Sequence, residues 1–248
     1  MIKLSEISTR APKGMEKEKT KALLPELAAR IGDLQHIMYA EKKHSLLVVL
    51  QGMDAAGKDG ATRAVFQDCS PIGINAYGFK KPTEEEMDHD FLWRVHQQVP
   101  RKGMITIFNR SHYEDILIQK VHGWIDDRKR EQRMRAINSF EQNLMEDNSN
   151  TTILKFYMHL SRERQKEKLQ ERIDNPRKQW KHNDADWKEA ELWDTYMACY
   201  EYAINNSVVP WIIAPVDQRW YRNYFIATRV LETLESLNMK LPPIKTSK

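Results

Sequence analysis

Residues 46–60 read LLVVLQGMDAAGKDG, a short apolar run followed directly by a loop with the spacing GxxxxGK. The apolar run predicts a strand at Ser45–Gln51 that is buried on both faces, and residues 58–69 can form a helix after the loop. A strand, a GxxxxGK loop and a helix in that order are typical of a phosphate-binding loop, in which backbone N–H groups and the helix N-terminus face phosphate oxygens. Lys58 would then supply a mobile cation for the transferred phosphoryl group. The alternative is an ordinary glycine-rich turn between a strand and a helix.

The rest of the chain alternates buried strands with helical stretches. Three further strands are predicted, at residues 104–109, 152–160 and 208–216. Helices are predicted at residues 14–43, with Pro25 as either a break or a first-turn position, and at 111–121, 129–146 and 219–237. This alternation predicts an α/β protein with right-handed crossovers and a parallel sheet covered by helices.

Composition excludes several classes of protein. The 248 residues carry 39 Lys and Arg against 35 Asp and Glu, and a net charge of +4 is too small to indicate a nucleic-acid coat protein. The longest apolar run, residues 46–50, is far shorter than the ~20 residues that a membrane span needs. Cys69 and Cys199 form no CxxC pair, which argues against a disulfide scaffold or a cysteine-rich zinc site. We therefore expect a cytoplasmic protein with no membrane contact.

The loop departs from the common phosphate-binding pattern at two acidic positions. Asp59 follows Lys58, where a Ser or Thr usually holds magnesium. Asp54 lies inside the loop, where a carboxylate beside phosphates is repulsive unless a metal ion or a proton intervenes. Asp54 is therefore a metal ligand, a base toward an acceptor phosphate, or a loop cap that points away.

A second polar group follows the strand at residues 104–109. Asn109 occupies the point where kinases of this kind usually place a magnesium-organising Asp, and Arg110 comes next. An arginine at the carboxyl end of a strand faces the ligand crevice and could neutralise transition-state charge, or it could pair with Glu114 or Asp115. Those two carboxylates could equally cap the chain or hold metal through water.

Residues 161–182 form the most basic stretch of the chain, with eight Lys and Arg against four carboxylates. A solvated helix face is one interpretation of such a run. Its position between two strands of an α/β domain favours the other interpretation, an active-site lid.

Six motifs together resemble the polyphosphate kinase 2 family over about residues 20–240. They are GMDAAGKDG at 52–60, HDFLWR at 89–94, FNRSHYED at 108–115, ILKFYMHLS at 153–161, a lid with Arg172, Pro176, Lys178, Trp180 and Lys181, and PWIIAPVDQRWYRN at 210–223. The resemblance implies a three-layer α/β/α phosphate-loop kinase fold with a parallel central sheet. It implies one domain over residues 1–248, with a helical lid inserted at about 161–187.

The same resemblance implies phosphoryl transfer between inorganic polyphosphate and a nucleotide, with Mg²⁺ or Mn²⁺. Four residues in the third motif match the class III subgroup, whose members accept both AMP and ADP: Asn109, His112, Glu114 and Asp115. The expected partners are therefore polyphosphate, AMP, ADP and ATP, with no nucleic acid, in a homo-oligomer that is a dimer or a tetramer.

The expected site residues fall into three groups, and Asp54 is also the expected metal ligand. The catalytic group is Asp54, Lys58, Asn109, Arg110 and Glu114. The polyphosphate-binding group is Gly57, Lys58, Asp59, Gly60, Arg172, Lys178 and Lys181. The nucleotide-binding group is Asp54, Arg94, Asn109, Arg110 and Asp115. A basic cluster at residues 128–135 is expected to extend the cationic path for the polyanion.

The main alternative is a nucleoside or nucleotide kinase that uses ATP as donor. It would share the fold and the loop, but the lid is more basic than an ATP donor requires. A nucleotide-dependent switch and a nucleic-acid-binding protein are weaker alternatives, because neither a guanine-reading motif nor a nucleic-acid module is recognisable.

Overall fold

In the computed structural model, which describes residues 1–147 and 150–244, five strands form one parallel sheet. The strands are β1 (Ser45–Gln51), β2 (Ile74–Gly78), β3 (Ile105–Asn109), β4 (Thr151–His159) and β5 (Trp211–Pro215). Their order across the sheet is β2-β3-β1-β4-β5. Val48 of β1 lies opposite Ile107 of β3 and Leu154 of β4. β1 is thus central, which explains why every one of its residues is buried and why it reads as an unbroken apolar run.

Helices cover both faces of the sheet. They are α1 (Lys17–Ala22), α2 (Leu24–Glu41), α3 (Lys58–Val65), α4 (Glu84–Asp88), α5 (Trp93–His96), α6 (Ile118–Val121), α7 (Asp127–Glu146), α8 (Arg162–Asp174), α9 (Asp184–Glu191), α10 (Trp193–Asn206) and α11 (Arg219–Ser236). Helices α2, α3 and α11 pack on the face of the sheet that carries Leu46 and Val48. Helices α5, α7 and α10 pack on the face that carries Leu47 and Val49. The two apolar cores make this a three-layer α/β/α fold, as predicted.

Several predicted elements were wrong in detail. The expected leading helix is two helices, α1 and α2, and of the two roles left open for Pro25 the structure shows the first-turn position, in α2. The stretch 111–121 is a 3₁₀ turn at His112–Asp115 followed by the short α6. Strand β2 was missed, since it lies at the sheet edge with mostly exposed or half-exposed residues and gives no apolar run.

Parallel strands bring all their carboxyl ends to one edge of the sheet, and the polar motifs follow these ends. The phosphate-binding loop follows β1, and Arg110 follows β3, the neighbour of β1. The basic stretch begins after β4 as α8, and α11 begins after β5. The fold therefore gathers four distant parts of the sequence around one crevice.

Candidate active site

The loop between β1 and α3 has the backbone conformation of a phosphate cradle. Gly57 has φ +90° and Ala55 has φ +67°, both in the left-handed region. Lys58 is buried, and its Nζ donates to the carbonyl oxygens of Gly52 at 2.8 Å and Met53 at 3.2 Å. The lysine is thus folded back onto its own loop at the start of α3.

Gly57 and Gly60 make room for an arginine from the far end of the chain. A Cβ at Gly57 would lie 2.0 Å from Arg222 Nη1, and one at Gly60 would lie 3.1 Å from Arg222 Nη2. Arg222 is in the first turns of α11, is 3% exposed, and donates to Asn223 Oδ1 at 2.7 and 3.0 Å. The two glycines therefore serve a close approach of a guanidinium to the loop, in addition to the turn itself.

Arg110 joins the loop to the end of β3. It has φ +62°, a left-handed conformation that is uncommon for a residue other than glycine. Its Nη2 pairs with Asp54, and its Nη1 lies 3.5 Å from Glu114 Oε2. Glu114 also accepts a 2.5 Å hydrogen bond from Gln51 Nε2 at the end of β1. The guanidinium is thus fixed between two carboxylates, and Asp54 does not point away from the site.

Asn109 and Asp59 link β3 to the lid. Asn109 Nδ2 donates to Asp59 Oδ1, and Asp59 Oδ2 lies 3.5 Å from Lys181 Nζ. Asp59 is in the first turn of α3, where the helix dipole favours a carboxylate. The predicted Asn109 and Asp59 therefore meet in space, although 50 residues separate them.

The lid region consists of α8, a 3₁₀ turn at Gln179–Lys181, and α9. Arg172 pairs with Asp186, and Lys178 Nζ lies 2.5 Å from Glu171 Oε1. Gln165 Nε2 donates to the Asp54 carbonyl at 3.2 Å, which places α8 against the phosphate-binding loop.

These elements enclose a cavity of about 630 Å³, called here the loop cavity. Among the described residues that line it, ten are cations and three are carboxylates. The cations are Lys58, Arg63, Lys80, Arg110, Lys168, Arg172, Lys178, Lys181, Arg219 and Arg222, and the carboxylates are Asp54, Asp59 and Glu171. A cavity with this excess of positive charge is suited to a polyanion.

Burial and neighbouring charges shift the pKa values of several groups that line the loop cavity. Burial, together with Arg110, lowers the pKa of Lys58 to about 8. Burial also lowers the pKa of Lys168 to about 8, and nearby arginines, Arg222 above all, add to this effect. Burial would raise the pKa of Asp54, but Arg110 and Lys58 outweigh it and the pKa is lowered, so Asp54 is ionised.

Sequence reasoning missed five cations of this cavity: Arg63, Lys80, Lys168, Arg219 and Arg222. None of them lies within 4.0 Å of a carboxylate among the described residues. For Arg219 and Arg222 a signal was available, because the two arginines in DQRWYRN lie one helical turn apart directly after a strand. That position faces the ligand crevice in an open parallel sheet.

Comparison with known proteins identifies the family of this chain. The sequence profile of "Polyphosphate kinase 2 (PPK2)" matches residues 14–242. The chain belongs to the polyphosphate kinase 2 family. It is therefore an enzyme of the polyphosphate kinase type, and the resemblance seen in the six motifs is confirmed.

Individual relatives agree with this assignment. An AMP/ADP-polyphosphate phosphotransferase of Meiothermus ruber is 46% identical over 224 residues, which cover 89% of this chain and 83% of that protein. An ADP-polyphosphate phosphotransferase of Rhodopseudomonas palustris is 37% identical over 241 residues, which cover 91% and 83%. The crystal structure of Polyphosphate Kinase 2 from Arthrobacter aurescens matches with a TM-score of 0.95 and 38% identity, over 100% of this chain and 90% of that one. The predicted phosphate-loop kinase fold is thereby confirmed.

Two residues predicted to bind nucleotide lie outside the loop cavity of this polyphosphate kinase 2 chain. Arg94 is 6% exposed, donates to the Lys80 carbonyl at 2.9 Å, and lies 3.5 Å from Asp115 Oδ2. Asp115 also accepts a 2.7 Å bond from Gln119 Nε2, and its burial raises its pKa to about 6 despite Arg94. In this structure the pair ties α5 to the turn after Arg110, and a direct nucleotide contact remains a prediction.

None of the residues in the basic cluster at 128–135 lines the loop cavity, so the expectation that the cluster extends the cationic path finds no support there. The cluster lies on α7, which packs against the sheet away from the loop cavity. Arg133 donates to the Asp115 carbonyl at 2.9 Å, Arg130 pairs with Asp127, and Arg135 pairs with Glu131.

A buried ionic network supports the turn that carries Glu114. Lys155 of β4 is fully buried, and its Nζ donates to Glu141 Oε2 at 2.6 Å and to Tyr113 Oη at 2.5 Å. His112 Nε2 lies 3.1 Å from Glu141 Oε1. Burial dominates the lowered pKa of His112, so the ring is neutral and donates to the carboxylate. The network fixes residues 112–113 of the same turn to α7 and β4.

Phosphoryl transfer by this class of kinase needs a divalent cation that bridges phosphate oxygens. Among residues 1–147 and 150–244, no group of three or more His, Cys, Asp or Glu side chains could hold a metal ion alone. The donor set still fits, because Mg²⁺ is usually held by one or two carboxylates together with substrate phosphates and water. Asp54 is ionised and faces the cavity, as that role requires.

A membrane-spanning segment was not expected from the sequence. Of the helices that the structure describes, none combines the length and apolar character needed to cross a bilayer.

Proposed function

We propose that the chain transfers phosphoryl groups from inorganic polyphosphate to AMP and ADP, reversibly, giving ADP and ATP. The observation that carries this proposal is the excess of ten cations over three carboxylates around the loop cavity. These cations come from the loop and α3, the segments after β2 and β3, the lid and the start of α11, so they lie along a path and not at one end. A long polyanion needs such a path, whereas an ATP donor needs cations mainly at its phosphates.

Transfer between phosphates needs alignment and charge neutralisation more than covalent help. Lys58 and Arg110 are the cations that would neutralise charge on the reacting phosphates. Glu114 and Asp54 hold the Arg110 guanidinium in one orientation, so its charge is aimed before substrate binds. In this proposal Glu114 acts on Arg110 and not on substrate.

Magnesium, or manganese in its place, would be held by Asp54 together with phosphate oxygens. It would supply charge neutralisation at the transferred phosphoryl group. Asn109 replaces the carboxylate that usually organises the metal, and here its amide donates to Asp59. Asn109 would therefore position Asp59, which in turn holds Lys181 of the lid.

The lid would exclude water and grip the polyphosphate chain. Arg172, Lys178 and Lys181 each pair with a carboxylate of the lid or loop, and the pairs of Lys178 and Lys181 are the more exposed. Exposed ion pairs are weak, so a polyanion can exchange for the carboxylates at small cost. Exclusion of water from the closed site would suppress hydrolysis of the donor.

Acceptance of both AMP and ADP is supported by two observations. Asn109 and Glu114 match the class III pattern, and Glu114 is held by Gln51 and Arg110. The Meiothermus ruber relative is named for AMP and ADP, whereas the Rhodopseudomonas palustris relative, which is less similar, is named for ADP alone.

The test incubates the purified protein with AMP, magnesium and long-chain polyphosphate, without ATP, and separates AMP, ADP and ATP over time. We expect ADP first and ATP afterwards. Accumulation of ADP without ATP would contradict the two-step claim. Phosphorylation of AMP by ATP but not by polyphosphate would replace the proposal with the ATP-dependent kinase.

Four expectations stay predictions: a single domain over residues 1–248 with a lid at about 161–187, a homo-oligomer, no binding of nucleic acid, and a cytoplasmic location.

A further inference from the structure

A second cavity, of about 480 Å³, lies at the base of the lid and is called here the base cavity. Its walls are the start of α8, the start of α11 and the segment before and into α1. Four cations from these walls line it: Arg10, Lys17, Arg164 and Arg219. Of these four, only Arg219 also belongs to the cations of the loop cavity, and the mechanism proposed above gives no role to Arg10, Lys17 or Arg164.

The base cavity continues the loop cavity along the same two helices. Arg219, at the start of α11, lines both cavities. On α8, Arg164 lines the base cavity, whereas Lys168 and Arg172 line the loop cavity. These three residues are spaced four apart and so share one face of the helix. At 1.5 Å per residue they mark a cationic track of about 12 Å, measured along the helix axis.

Three carboxylates also line the base cavity, and hydrogen bonds hold two of them, Asp217 and Glu167, in place. Asp217 is 6% exposed, and its two oxygens accept 2.8 Å hydrogen bonds from Thr9 Oγ1 and from the Ser161 N–H. Glu167 Oε2 accepts a 2.5 Å bond from Arg164. Glu163 is in the first turn of α8, where the helix dipole favours it. Arg10 and Arg219 form no ion pair within 4.0 Å among the described residues.

We propose that the base cavity is a distal subsite for the polyphosphate chain and binds the phosphates that lie beyond the reacting end. This inference rests on the proposed function, because it takes polyphosphate as the donor. The chain would run from the phosphate-binding loop past Arg222 and Arg219 and along α8 to Arg164 and Arg10. Long chains would contact both cavities, whereas tripolyphosphate would be held in the loop cavity.

The segment that carries Arg10 is anchored through its neighbours and not through the Arg10 side chain. The Asp217 N–H donates to the Thr9 carbonyl at 3.1 Å, and the Ala11 N–H donates to Gln218 Oε1 at 2.8 Å. The side chains of Arg10 and Lys17 are exposed. Their replacement should therefore remove charge from the base cavity and leave the fold intact.

The experiment compares the double variant Arg10→Gln, Lys17→Gln with Lys13→Gln, an exposed lysine between them that does not line the base cavity. Three constants are measured: the KM for long-chain polyphosphate, the inhibition constant of tripolyphosphate, and the KM for AMP. We expect the first to rise about tenfold in the double variant and the other two to change less than about twofold, since screened surface cations act only on the ligand that reaches them. The charge-conserving Arg10→Lys, Lys17→Arg variant should restore the wild-type value.

Direct binding of long-chain polyphosphate, measured by titration calorimetry without nucleotide, separates this inference from the proposed function. Tight binding by wild-type protein and by the double variant alike would overturn the distal subsite and leave the proposed function standing. A rise in the KM for AMP would instead assign the base cavity to the acceptor. An equal rise in the inhibition constant of tripolyphosphate and in the KM for long-chain polyphosphate would show that the loop cavity itself is weakened, and it would also overturn the distal subsite. Wild-type protein that does not turn polyphosphate over would refute the proposed function before any variant is compared.

Discussion

Two lysines face the same cavity with depressed pKa values, and this gives a prediction about pH. Burial is the first cause for both Lys58 and Lys168, and neighbouring arginines add to it, so each has a pKa of about 8. Only the protonated forms attract a polyanion. The value of kcat/KM for polyphosphate reports on free enzyme, and we therefore expect it to fall as pH rises through 8.

The size of the fall follows from the number of lysines. Between pH 7 and pH 9, a group with a pKa of about 8 changes from about 90% to about 10% protonated, which is a loss of about tenfold. If Lys58 and Lys168 are both required, the loss in kcat/KM is about 100-fold. The variant Lys168→Arg keeps a cation that does not titrate in this range, so its loss should be only about tenfold.

The assay measures kcat/KM for long-chain polyphosphate at saturating AMP and magnesium, from pH 7 to pH 9, in wild-type protein and Lys168→Arg. The ratio of the two profiles cancels the titration of the substrates. Lys166→Arg is the matched control, because Lys166 is exposed on the same helix and does not line the loop cavity. Identical profiles for wild type and Lys168→Arg would refute the reasoning, since Lys168 would then not contribute its charge to polyphosphate binding.

Three further predictions concern single positions. Glu141→Gln leaves the buried Lys155 without its carboxylate and should lower the free energy of unfolding by about 3 kcal/mol in urea titrations. Replacing both residues by apolar ones should recover most of this stability. A loss below about 1 kcal/mol in Glu141→Gln would show that the pair is not an ionic network. Asp54→Asn should lower kcat by more than about 100-fold and Asp59→Asn by less than about tenfold, because Asp54, unlike Asp59, holds Arg110. The reverse order in steady-state kinetics would contradict the assigned roles. Arg222→Gln removes a buried cation whose pKa is lowered to about 10 by burial and by a neighbouring arginine. The variant should therefore keep the thermal midpoint of unfolding and raise the KM for polyphosphate. A lower midpoint with an unchanged KM would show that Arg222 has a structural role.

Local sequence patterns determined the elements that are central or strongly periodic. β1 was predicted with its observed bounds, because a strand between two neighbours and two helical layers is buried at every position and carries the apolar run 46–50. β2 was not predicted, because an edge strand buries little and its residues 74–78, INAYG, carry no apolar run. A fully buried strand needs a run of apolar residues, whereas a partly buried strand also tolerates polar residues and so gives a weaker signal.

The site residues divide in the same way, into those that a local sequence pattern identifies and those that it does not. The GxxxxGK spacing identified Lys58, and the position after a strand identified Arg110, because both rules follow from local chain geometry. That Asp54 pairs with Arg110, 56 residues away, was not among the alternatives that the sequence offered for either residue. The basic cluster at 128–135 was expected on the cationic path but does not line the loop cavity, since the number of charges along a chain does not tell which face of a helix they occupy.

The sequence by itself determined the family, the phosphate-binding loop and four of the five strands, because these depend on residues that are close together along the chain. Only the tertiary structure decided which cations share a cavity. Lys168 and Arg222 come from two helices that follow neighbouring strands, β4 and β5, and they meet because parallel strands deliver their carboxyl ends to one edge. Gly57 likewise accommodates Arg222 through a contact that spans most of the chain. Such contacts have no local signature, since their distance is set by the packing of the whole sheet.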